Sequence, residues 1–139
     1  AMVLNIDCMR AVLEYLVDNL SLRYEDLTTE FRALNVNAMY TDIIGYDDED
    51  IFYAVYNLWQ AGYIEANVKM SYTIVRDFEI WNVSYEGQQF YQNIHKSSVW
   101  ERTKQVANKA GSVAISILSS IAQNIIMQEI AGLIAQQTP

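Results

Sequence analysis

Gly45-Tyr46-Asp47-Asp48-Glu49-Asp50-Ile51 opens the stretch that decides the fold, and Leu58-Trp59-Gln60-Ala61-Gly62-Tyr63-Ile64-Glu65-Ala66 closes it. Between them Ile51, Ala54, Val55, Leu58 and Trp59 recur at three- and four-residue spacing, the pattern of a helix with one apolar side. Asp47 is placed to cap that helix. The carboxylates behind it complement the positive helix end, at roughly 0.3–1 kcal/mol each and not additively. Gly62 supplies the C-terminal glycine, and Tyr63-Ile64-Glu65-Ala66 leaves directly into strand-like sequence.

Downstream, Tyr63–Lys69 and Tyr72–Val83 are rich in β-branched and aromatic residues and alternate in part. They predict a β-hairpin with its turn around Met70-Ser71. Ser84 predicts an N-cap for a helix from Tyr85 to about His95, with Phe90 and Ile94 inward. Ser97 or Ser98 starts a further helix over Val99–Lys109, interrupted by Gly111. Upstream, Ile6, Met9, Leu13, Leu16, Val17 and Leu20 predict an amphipathic helix over Asn5–Leu20. Residues 21–42 carry a mixed signal. Leu27, Phe31 and Leu34 fit a short helix after Glu25-Asp26, whereas Leu34, Val36, Ala38 and Tyr40 alternate. The reading adopted is a short helix at about 25–34 and a strand near 38–44, ended by Gly45.

Helix, short turn and hairpin, in that order, make a winged helix-turn-helix. The expected fold is therefore α+β, mainly α: a winged-helix domain over 1–96 with a two- or three-stranded antiparallel wing, and a C-terminal helical extension over 97–139. The tail differs in composition, with Glu129 the only charged residue in 112–136. Ala114, Ile117, Leu118, Ile121, Ala122 and Ile125 share one side, and Ser112, Ser116, Ser119, Ser120 and Gln123 the other. A face this apolar needs a cover. Self-association as a dimer through Ile117, Leu118, Ile121 and Ile125 is the expectation. Interruptions by Ser, Gln, Asn and Glu argue against a membrane span, which takes about 20 predominantly apolar residues.

Composition narrows function. With 139 residues, 52% hydrophobic content and ten tyrosines, the chain is globular. Net charge is −8, and only nine Lys and Arg are present. A DNA-binding protein commonly neutralises about 6–10 phosphates with such residues on one face, which would consume most of these cations inside a repelling field. Cys8 is the only cysteine, so neither a disulfide framework nor a cysteine metal site can form within one chain. No basic segment followed by an apolar core opens the sequence, and a cytoplasmic protein is expected.

Two blocks carry a resemblance. One is the Gly45–Ala66 stretch. The other is Val83-Ser84-Tyr85-Glu86-Gly87-Gln88-Gln89-Phe90 followed by Val99-Trp100-Glu101-Arg102-Thr103-Lys104 and Gly111-Ser112. Together they resemble the bacterial and prophage proteins of domain-of-unknown-function family 2513. The resemblance implies a winged-helix fold and a mobile-element setting, and it transfers no catalytic residue. Residues 21–42 are longer than the link usual in that family, and Ser84 stands where Thr is usual.

The chemistry is sparse. His95 is the only histidine, and no phosphate-binding glycine loop, zinc-binding His pair or nucleophile elbow is present. No catalytic, cofactor-binding or metal residue is assigned, and no enzyme is expected. Four successive acids at a helix start point in different directions and do not match a calcium loop. If Ile51, Ala54, Val55, Leu58 and Trp59 face inward, then Asp47, Asp48, Asp50, Tyr53, Tyr56 and Asn57 lie outward. That surface suits a protein partner better than a phosphate backbone. The function expected is a non-enzymatic interaction or regulatory module. The alternative is a dimeric DNA-binding regulator using Lys69, Arg76 and Lys96.

Overall fold

The computed structural model describes residues 2–137. Helix predominates over strand, giving an α+β, mainly α protein with small antiparallel sheets. The chain divides into two compact units, residues 1–88 and 89–139. That division falls inside the helix over Tyr85–Ile94, whereas the expected boundary is at 96.

In the first unit, α1 (Ile6–Asn19) is capped by Asn5, whose side chain accepts from the Cys8 amide at 3.0 Å. It buries Cys8, Met9, Val12, Leu13 and Leu16. Next come β1 (Ser21–Glu25) and β2 (Thr28–Arg32), which pair only with each other, and then the two-residue β3 (Leu34–Asn35). Two helices follow, α2 (Val36–Asp42) and α3 (Asp48–Gln60), and then the hairpin of β4 (Ile64–Ser71) and β5 (Ile74–Val83). The main sheet has the order β3-β5-β4, so the short early strand lies beside the last one. α3 packs on α1 and α2. Its residues Ile51, Ala54, Val55 and Leu58 are fully buried, as their spacing requires.

Residues 21–42 overturn the expected order. A hairpin occupies 21–32 where a short helix is expected at 25–34, and a helix occupies 36–42 where a strand is expected near 38–44. The reason is cross-strand chemistry that single-strand periodicity does not reveal. Leu22 stands opposite Phe31 and Arg23 opposite Glu30. This sorts apolar and charged residues onto opposite faces of the hairpin. Asp26 takes a left-handed conformation at φ 53°, which a short acidic side chain tolerates, and Thr28 donates to the Glu25 carbonyl at 2.8 Å. In α2 the buried residues are Val36 and Met39, followed by Ile43 just past the helix end, a helical spacing in place of the expected alternation. Asn35 caps α2 by accepting from the Asn37 amide at 3.0 Å.

The turn of the β4–β5 hairpin lies two residues later than expected. Its turn is Tyr72-Thr73, with Tyr72 at φ 59°. β5 carries two extra residues relative to β4. Glu65 pairs with Asn82 and Ala66 with Ile80, leaving Trp81 between them; Lys69 pairs with Asp77 and Met70 with Val75, leaving Arg76. Such bulges re-aim the side chain of the extra residue.

α4 (Tyr85–Ile94) begins as expected at Ser84, whose hydroxyl accepts from the Gly87 amide at 3.1 Å and donates to the Gly62 carbonyl at 2.6 Å. In the second unit Phe90 and Ile94 are buried, and α5 (Ser97–Ala110) packs on α6 (Ile115–Gln136). Gly111 ends α5 at φ 75°, a left-handed cap. α5 buries Val99, Trp100, Thr103 and Ala107, and the Thr103 hydroxyl is satisfied by the Val99 carbonyl at 2.7 Å. α6 buries Ile115, Leu118, Ala122 and Ile125. By length and composition alone α6 could cross a membrane.

Candidate functional site

The outward side of α3 is built from its first turn. The Asp47 carboxylate accepts from the Asp50 amide at 2.8 Å, so one acid of the four is a cap. Asp48 and Glu49 are exposed beside it, and Asp50 is half-buried. Their field reaches inward. The Cys8 thiol is pushed up to about 12, first by burial and then by Asp50 and Asp47. The Tyr40 hydroxyl is also raised, first by burial and then by Asp48. Cys8 therefore stays a neutral, enclosed thiol, poorly suited to nucleophilic work.

Along the same helix Tyr53, Tyr56 and Asn57 are half-buried. Tyr53 stacks on Tyr56 with ring centres 6.4 Å apart, and Tyr56 meets the Trp59 edge at 5.9 Å. Beneath them Phe52 and Trp59 each set an edge-to-face contact on buried Phe78, at 5.9 and 5.5 Å. Trp59 is thus half-buried at the margin of the core and completes an aromatic row, a role its inward assignment missed. Asn57 donates to the Tyr53 carbonyl at 2.7 Å, which spends its amide on the helix itself. On α3 the structure places Asp47, Asp48 and Asp50 at the first turn, acting on Cys8 of α1 and Tyr40 of α2, and the stacked Tyr53 and Tyr56 further along.

The cations are dispersed by comparison. Lys69 and Arg76 are exposed on the β4–β5 hairpin, Lys69 opposite Asp77 and Arg76 at its bulge. Lys96 precedes α5 in the other unit. His95 is exposed and stacks on Tyr91 at 5.4 Å. Among the described residues no group of three or more His, Cys, Asp or Glu could hold a metal ion.

The residues chosen for self-association are mostly used inside the chain. Leu118 and Ile125 are buried, Ile121 is half-buried, and only Ile117 remains exposed, at 40%. α5 already covers this stripe of α6.

Sequence reasoning did not find the clefts beside the β1–β2 hairpin. One, of about 160 Å³, is lined by Leu16, Leu20, Leu22, Phe31, Trp81 and Val83. A wider groove lies among Arg23, Glu30, Arg32, Asn67, Glu79 and Trp81. Phe31 and Trp81 join the hairpin to β5 through an edge-to-face contact at 5.0 Å. The available signal was the apolar–charged alternation of 21–32, and it becomes readable only once the two halves are paired.

With this geometry in view, the chain matches the family described as Hypothetical protein (DUF2513) over residues 4–113. It belongs to that family. No curated protein and no solved structure matches it.

Proposed function

We propose that the protein is a non-enzymatic interaction or regulatory module on a winged helix-turn-helix. It belongs in the cytoplasm of a cell carrying a mobile element, and it engages a protein partner through the outward side of α3. Support for the fold comes from the order α1, β3, α2, α3, β4, β5 and from the sheet order β3-β5-β4. Removing the β1–β2 insertion leaves one helix, a short strand, a helix pair and a hairpin that returns to the short strand. In that arrangement α3 is the helix offered to a ligand.

The observation that carries the partner assignment is the pairing of exposed Asp48 and Glu49 with the Tyr53–Tyr56–Trp59 row on one helix. Carboxylates repel phosphates from the end of the helix that enters a DNA groove. Tyr and Trp bury large area at low conformational cost and are enriched at protein interfaces.

A second reading, a dimeric DNA-binding regulator, is favoured by Lys69 and by Arg76 at its bulge, both exposed on the hairpin. Fluorescence titration of random duplex DNA at low and moderate salt separates the two. The protein-partner reading expects no binding at micromolar protein in moderate salt. Salt-sensitive binding that disappears in Lys69→Glu with Arg76→Glu would establish the DNA reading in its place.

A further inference from the structure

β4 is an outer strand of the main sheet. β5 lies on one side of it, and among the described residues no strand lies on the other. Both extra residues of the hairpin, Trp81 and Arg76, belong to β5, so β4 itself keeps a regular period of two. It also lacks proline, another device that blunts a sheet edge. Along Ile64-Glu65-Ala66-Asn67-Val68-Lys69-Met70 the even positions are apolar and the odd ones polar. Ile64 is buried, Glu65, Ala66 and Val68 are half-buried, and Asn67, Lys69 and Met70 are exposed. Read outward from Asn67, the stretch is a charge palindrome: apolar residues at 66 and 68, opposite charges at 65 and 69, and apolar residues again at 64 and 70.

We infer that β4 is the edge through which two copies of the chain pair, antiparallel and about a two-fold axis at Asn67, so that their main sheets run on into each other. Directly opposed residues of an antiparallel pair share a face of the sheet, so such a register opposes even positions to even and odd to odd. Centred on Asn67, Glu65 of each copy faces Lys69 of the other, Ala66 faces Val68, and Ile64 faces Met70. Asn67 faces itself, where each side-chain amide can donate to the other's carbonyl oxygen. Opposed side chains stand about 4.5–5.5 Å apart at Cβ, within reach of two ion pairs. Neighbouring registers lose this match. Centring on Glu65 or Lys69 opposes like charges, and centring on Ala66 or Val68 sets Glu65 against Asn67 or Ser71. The charge pattern therefore selects a second copy over an unrelated strand, because one stretch supplies both halves of every pair. Glu65 accepts from Asn82 at 3.2 Å through one carboxylate oxygen, which leaves the other for Lys69. Within its own chain Lys69 stands opposite Asp77, whose Oδ1 already accepts from Asn35 and from the Phe78 amide. Main-chain hydrogen bonds along the edge join the copies, and the side chains set the register.

Sedimentation equilibrium of the full chain, from low micromolar to several hundred micromolar, tests this. The 16.0 kDa chain should approach twice its mass over that range. Glu65→Lys alone and Lys69→Glu alone each oppose like charges at both ends of the contact, and each should weaken pairing by roughly tenfold or more. The two single variants mixed should pair with each other, since Lys then faces Glu at every position. The double variant Glu65→Lys with Lys69→Glu restores the palindrome in reverse and should regain the parent's pairing. A merely destabilised fold gives neither recovery, and circular dichroism confirms that each variant is folded. A chain that stays monomeric throughout overturns the inference and leaves the edge to a strand of another protein. So do single variants that pair like the parent, which would move the contact to another surface. So does a folded double variant, or a mixture of the singles, that fails to recover.

Discussion

Gly87 shows how far a single residue can be constrained. A Cβ at this position would stand 2.0 Å from the Tyr63 carbonyl oxygen and 2.8 Å from Val83. The first contact is with backbone and cannot be relieved by a rotamer change. The same small region holds Ser84, which caps α4 and ties it to the Gly62 carbonyl. Gly87→Ala should therefore destabilise by about 1–3 kcal/mol, of the order of an overpacked core site, read from urea unfolding. Cys8 gives a second prediction at this scale. Its thiol is raised from 9.0 to about 12 in the folded chain. Between these values the unfolded state loses the proton and the folded state keeps it. Stability is thus full below about pH 9 and declines as pH rises toward 12. Tyr15, raised from 10.0 to about 12 chiefly by its 2.6 Å hydrogen bond to Asp42, acts in the same direction from pH 10 upward. Cys8→Ala should flatten the lower part of that decline, and native Cys8 should resist a thiol reagent at pH 8 until denaturant is added.

At the scale of elements, α3 and the β1–β2 hairpin behave oppositely. α3 is specified by its own sequence: acids at the start, buried residues at helical spacing, a glycine after the end. Cap, periodicity and stop agree, so its position is legible without a partner element. The hairpin is specified by pairing. All ten of its strand residues are exposed, and its two strands bond only to each other. An isolated hairpin of this kind is marginal in water. Here it is anchored by Phe31 on Trp81. Ser21 and Arg32 stand opposite each other, so a two-residue Asn-Gly link can replace 22–31 without stretching the chain. That excision should cost no more than about 2 kcal/mol, chiefly the aromatic contact, measured by thermal unfolding. Loss of all cooperative folding would show instead that the hairpin is needed to build the unit.

For the whole molecule, charge is the controlling quantity. The field of a −8 chain opposes approach to phosphate, and the two hairpin cations can contact about two phosphates. If DNA binds at all, its affinity should fall with salt at a log–log slope near −2 per copy, or near −4 for a pair, in the titration described above. The sequence by itself determined the elements whose signals are local. These are α1, α3, the β4–β5 hairpin, the Ser84 start of α4, the Gly111 end of α5 and the acidic-aromatic character of α3, because caps, turns and amphipathic periods act within a few residues. Only the tertiary structure decided the fate of 21–42, the bulges at Arg76 and Trp81, and which apolar side of α6 is already covered. Each of these depends on which distant segment lies opposite. A hairpin's register, a bulge and a buried stripe are properties of pairs of segments, and the free energy that selects them comes from contacts that a linear pattern does not contain.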